Sequence, residues 1–135
     1  MTSLKAYFRP GHRDEPAVAS TDAELDALLD ELMREGFDRS IAVLSVAEPG
    51  DGGYRALHVA VDPEGDVGAL IYIDSTDAWY SKGTTSEREE LFYCYYGEDR
   101  DFPRDAELTL ATVRAAAAEF LHTGLRPTLA DWQPW

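Results

Sequence analysis

The sequence predicts an α+β fold, a single antiparallel-rich sheet with two helices packed on one face. Three observations predict it. Two segments carry apolar residues at helical spacing, each with its own start and stop signals. Between them lie runs of strand-forming residues broken by Pro- and Gly-rich turns. The two best-formed of these runs are joined by a connection too short for a parallel crossover, so they pair as a hairpin. At 135 residues, with 44% hydrophobic and 11% aromatic content, the chain is expected to form one domain, 1–135, around one core.

Leu4 to Phe8 reads as a first strand, ended by Arg9-Pro10-Gly11, and His12 to Ala19 as a polar connection. Thr21-Asp22-Ala23-Glu24 matches a capping box, in which Thr21 accepts from a free backbone N–H and Glu24 reaches back. Leu25, Leu28, Leu29, Leu32 and Met33 then fall on one helical stripe, and Gly36 is the stop. From Ile41 to Ala47 the pattern is that of a strand, and Glu48 to Gly53 is a loop.

Tyr54 to Val61 is the next strand. Leu57, Val59 and Val61 alternate with Ala56, His58 and Ala60, giving one better-buried face. Asp62 to Asp66 makes the turn into Val67 to Ile73, an apolar run expected of a central strand antiparallel to its predecessor. Ala78 to Ser81 reads as a short strand, Lys82 to Glu90 as a polar loop, Leu91 to Tyr96 as an aromatic strand ended by Gly97, and Glu98 to Glu107 as a charged connection. Thr109 caps a second helix carrying Leu110, Val113, Ala117, Phe120 and Leu121, with Gly124 past its end and Pro127 beyond.

No catalytic, cofactor or metal motif emerges. His12, His58, His122 and Cys94 lie in unrelated elements, without the short fixed spacing of a zinc site. His58 is expected to be a hydrogen-bonded surface or edge residue, and His122 a favourable partner for a helix C-terminus. Asp62, Glu64 and Asp66 alternate like calcium ligands, but Pro63 and the missing distal Glu break that pattern, leaving a solvated turn. With Cys94 the only cysteine, no internal disulfide can form. The absence of a signal-peptide pattern or membrane-length apolar stretch points to the cytoplasm.

The most particular stretch runs from Ala115 to Trp132: an alanine-rich helix leading into Glu119-Phe120-Leu121-His122-Thr123-Gly124-Leu125-Arg126-Pro127-Thr128 and then Trp132. Its physical content is a helix that ends, turns and sends an extended tail back, with Trp132 as core, tail anchor or interface. This stretch resembles Imm family one, the immunity proteins of bacterial polymorphic toxin systems. The resemblance implies a non-catalytic α+β protein without a cofactor, encoded beside a toxin, often one with a nucleic-acid deaminase domain, which it neutralises by tight binding.

Charge fits that implication. Against 12 basic residues stand 26 acidic ones, for a net charge of -14. Such a surface repels nucleic acid and anionic membranes and attracts a basic protein, such as a toxin built to hold phosphates. Asp74, Asp77, Trp79 and Tyr80, expected in one strand-to-strand connection, are the first candidates for partner binding, although Trp79 fits the core equally well. Glu98, Asp99 and Asp101 form a second acidic group that flanks the same surface if the loops converge. A non-catalytic regulatory or scaffolding domain is the competing reading. The sequence leaves oligomeric state open.

Overall fold

A computed structural model describes residues 3–47 and 53–135. The loop expected at Glu48 to Gly53 lies almost wholly outside them. The elements are β1 (Leu4–Tyr7), β2 (Ala17–Ala19), α1 (Asp22–Arg34), β3 (Ile41–Val46), β4 (Ala56–Asp62), β5 (Val67–Ile73), β6 (Ala78–Lys82), β7 (Leu91–Tyr95), β8 (Glu98–Phe102), β9 (Leu108–Thr109), α2 (Leu110–Thr123) and β10 (Asp131–Pro134). Eight strands form one main sheet in the order β10-β6-β5-β4-β3-β1-β2, with β9 also paired to β5, and every pairing is antiparallel. The fold is α+β with one main sheet, as the sequence predicts.

Both helices start and stop where their caps dictate. The Thr21 hydroxyl accepts from Glu24 N–H at 3.2 Å, while Glu24 Oε1 accepts from Ser20 N–H at 3.0 Å, one residue earlier than an ideal capping box. Thr109 accepts from Thr112 N–H at 3.2 Å at the start of α2. Gly124 closes that helix with φ 66°, the left-handed conformation that glycine adopts without a Cβ clash. The helices pack on one face of the sheet. Leu25, Leu29 and Leu32 of α1 and Val113, Ala117 and Phe120 of α2 share one core with Leu4, Leu44, Leu57, Val59 and Leu70.

The sheet's other face is where structure and expectation part. Glu98–Phe102, read as a charged connection, is strand β8, and it pairs with β7 in a separate two-stranded sheet. Tyr96 and Gly97 join them with φ 51° and 81°, the two left-handed residues of a primed hairpin turn. Paired residues share a face. Leu91, Tyr93 and Phe102 therefore point inward together, and with Ala106 they bury Ile41, Ala60, Ala69 and Ile71 of the main sheet. A strand with one solvated face carries charge at alternate positions, so its composition resembles that of a loop.

Two smaller corrections, and one sharpening of the extended tail expected after Pro127, follow from pairing partners that local reading does not supply. Ala17–Ala19, expected to be connection, is an edge strand whose ladder is completed by β1, with Leu4 opposite Ala19. Thr84, inside the expected polar loop, bridges to Glu107. The tail beyond Pro127 becomes β10, the opposite edge of the sheet, with Trp132 opposite Ser81. Two glycines permit close approach. A Cβ on Gly68 would collide with Ala60 O and crowd Val113, and one on Gly83 would collide with Glu107 O.

Candidate functional site

The candidates for partner binding do not form one patch. Asp74 and Asp77 sit in the β5–β6 turn, where the Asp74 carboxylate accepts from Thr76 N–H at 2.9 Å, the Thr76 hydroxyl at 2.7 Å and Asp77 N–H at 3.0 Å. These bonds, led by that from the Thr76 hydroxyl, hold the Asp74 pKa below its ordinary value. Asp74 thus shapes the turn, and Asp77 is the exposed member of the pair.

Trp79 and Tyr80 lie in β6 rather than in the connection, and successive strand residues point to opposite faces. Trp79 packs on the helix side, 5.8 Å from the Tyr72 ring, with the Arg126 guanidinium 4.7 Å above its own ring. Tyr80 packs on the hairpin side, 5.6 Å from Phe102, and its hydroxyl accepts from Trp135 Nε1. Among the described residues, no hydrogen bond or ion pair joins this turn to β8.

Glu98, Asp99 and Asp101 are exposed on β8. Asp99 and Asp101 lie opposite Cys94 and Phe92, on the outer side of the hairpin, whereas Glu98 lies opposite Tyr95 at its tip. Cys94 donates its thiol hydrogen to Asp99 at 3.5 Å. Burial, then this bond, pushes the Cys94 thiol up to about 11. Beside β7 runs a short turn, Phe37–Arg39, anchored by Ser40: its N–H donates to Cys94 O, and its hydroxyl accepts from Cys94 N–H, both at 3.0 Å. This anchor sets Phe37 at 5.4 Å from Phe92, edge to face, with Phe37 still 41% exposed.

Reading the sequence missed Phe37, Asp38 and Phe92 as surface groups. An aromatic directly after the helix-stopping Gly36 was the available signal.

The other acidic surface, along α1, is partly matched within the molecule. Arg114 reaches Asp26 and Asp30 at 3.3 and 3.0 Å, Arg9 reaches Glu35 at 3.0 Å, and His122 Nε2 meets Asp22 at 2.8 Å. His122 therefore ties the end of α2 to the first turn of α1. In contrast, among the described residues no ion pair reaches Asp38, Glu89, Glu90, Glu98, Asp99 or Asp101. The nearby cations are otherwise engaged: Arg39 pairs with Glu35, Arg104 donates to the carbonyls of Arg88 and Ser86, and Arg100 lies over Tyr95.

His58 also corrects expectation. It is buried in the middle of the sheet, between β3 and β5, and its Nδ1 has no partner among the described residues. Burial, helped by the Arg100 charge, lowers its pKa to about 4.

The C-terminal stretch is a set of mutual clamps. Glu119 on α2 accepts from Thr128 N–H, the Thr128 hydroxyl and Leu129 N–H at 2.8, 2.9 and 3.1 Å. Trp132 donates from Nε1 to Pro127 O at 2.8 Å, and its ring lies 6.3 Å from Tyr72. Residues 13–134 match the family described as Immunity protein Imm1. The chain belongs to the Imm1 family. In this Imm1 chain the most particular sequence stretch holds β10 against β6 and α2, so its side chains act on one another. No curated protein matches the chain. Among the described residues, no helix is long and apolar enough to cross a membrane.

Proposed function

We propose that this Imm1 protein is a non-catalytic inhibitor that binds and neutralises a cognate bacterial polymorphic toxin. Membership of the immunity-protein family across residues 13–134 carries the reading. The net charge of -14 supports a partner with a basic surface of the kind that holds nucleic-acid phosphates, a nucleic-acid deaminase among them. On this reading the immunity protein acts in the cytoplasm, covers the toxin's active site or substrate path, and competes electrostatically with nucleic acid.

Co-expression with the toxin domain encoded beside it tests the proposal. Cells expressing the toxin should grow only when this chain is present. With purified proteins, one equivalent should abolish toxin activity on nucleic acid. Full toxin activity within a stable complex would sink active-site blockade, and the absence of any complex would sink the immunity role.

A further inference from the structure

We infer that the outer face of the β7–β8 hairpin, with the Phe37–Arg39 turn beside it, is the surface that docks a basic protein partner. This inference rests on the proposed immunity role and says where on the molecule that role is played. The hairpin's inner face is consumed by the core, through Leu91, Tyr93 and Phe102. Its outer face presents the partly exposed Phe92 against the exposed Phe37, an aromatic pair of the sort that anchors interfaces. Asp38, Asp99 and Asp101 rim that pair, all three exposed and none ion-paired among the described residues.

Charge selects the occupant. The carboxylates of α1 are partly neutralised by Arg9 and Arg114, so part of their field is spent within the molecule. Those around Phe37 and Phe92 have no ion-pair partner among the described residues. Exposed carboxylates without an ion pair also occur elsewhere among the described residues, Asp77 and Asp131 included, but here they rim two aromatic side chains. Apolar anchors inside an acidic rim match an interface with a desolvated centre and a charged periphery for a cationic partner. Nucleic acid is repelled by the same field, and a second copy of this chain would set like charges against each other.

The test uses the full chain and the catalytically inactivated toxin domain encoded beside it, with binding followed against ionic strength. Asp99→Lys with Asp101→Lys should slow association at least tenfold and flatten its salt dependence. Phe92→Ala should raise the dissociation rate at least tenfold. Asp131→Lys reverses a charge on β10, outside the proposed surface, and should leave both rates within about twofold of the unmodified protein.

Each variant is compared by circular dichroism and thermal midpoint, so that a misfolded protein is not scored as a binding defect. If Phe92→Ala fails the folding check, the charge reversal alone decides. Unchanged rates in the folded Asp99→Lys, Asp101→Lys protein would overturn the inference while leaving the immunity role intact. No binding by the unmodified chain would overturn the immunity role and this surface with it. A chain that is dimeric alone and becomes monomeric on charge reversal would assign the face to self-association instead.

Discussion

The carboxylate of Glu119 grips Thr128 through both its backbone N–H and its hydroxyl, at 2.8 and 2.9 Å. A side chain on the last turns of α2 thereby fixes the direction in which the chain leaves Gly124, and hence whether β10 reaches β6. Glu119→Ala removes these acceptors. Because the bonds are charge-assisted but solvent-exposed, the loss should be about 1–2 kcal/mol, seen as a lower urea midpoint. Hydrogen exchange should quicken first at Asp131 and Gln133, the strand the clamp positions. Uniform acceleration over the whole sheet would argue that the clamp has no local role.

His58 predicts a pH dependence. Its folded pKa is about 4 against 6.5 for the free side chain, so the unfolded chain binds the extra proton between these values. Its contribution is fully present above pH 6.5 and is lost as pH falls toward 4, for a total of about 3 kcal/mol. His58→Gln should remove that part of the acid sensitivity. Chemical denaturation of both proteins at pH 7.5 and 4.5 measures it, and equal losses in both would refute the assignment.

Gly68→Ala should be strongly destabilising although it adds one methyl group. The new Cβ would press on Ala60 O across β4 and on Val113 of α2, both parts of the rigid core. A cost of about 2–3 kcal/mol is expected from overpacking, read as a drop in thermal midpoint. Gly11→Ala, with open space around its Cβ, is the control and should change stability by less than about 0.5 kcal/mol.

Trp79→Ala should act on stability. The indole packs against Tyr72 under Arg126, and its loss should cost about 2 kcal/mol, less than for a fully buried aromatic. Toxin affinity measured well below the variant's thermal midpoint should be nearly unchanged. A folded Trp79→Ala protein with much weaker binding would move the docking surface to the β6 edge.

Cys94 should resist thiol reagents. The side chain is buried and its pKa is raised to about 11, so little thiolate exists near neutrality. Reaction with a disulfide reagent should be slow in the native protein and fast in denaturant. Comparable rates in both would contradict this burial.

Where local chemistry suffices, sequence and structure agree. Thr21 and Thr109 cap their helices, Gly124 ends α2, and Asp62–Asp66 turns β4 into β5, each through contacts between residues close along the chain. Apart from β8, whose alternating charges mask a local hairpin with β7, the disagreements involve a distant partner. Ala17–Ala19 is a strand because β1 completes its ladder, and His58 is buried because the β7–β8 hairpin and its neighbours cover a face that alternation alone leaves open.

The sequence by itself determined an acidic α+β chain with two capped helices, a central hairpin and a family-specific ending, since propensity, capping and charge reside in neighbouring residues. Only the tertiary structure decided which carboxylates have an ion-pair partner. Asp26 and Asp30 are matched by Arg114 from another helix, while Asp99 and Asp101 stand on a strand whose inner side is core. Pairing and facing depend on register and on the layers packed above and below, and neither is written in the spacing of the acids themselves.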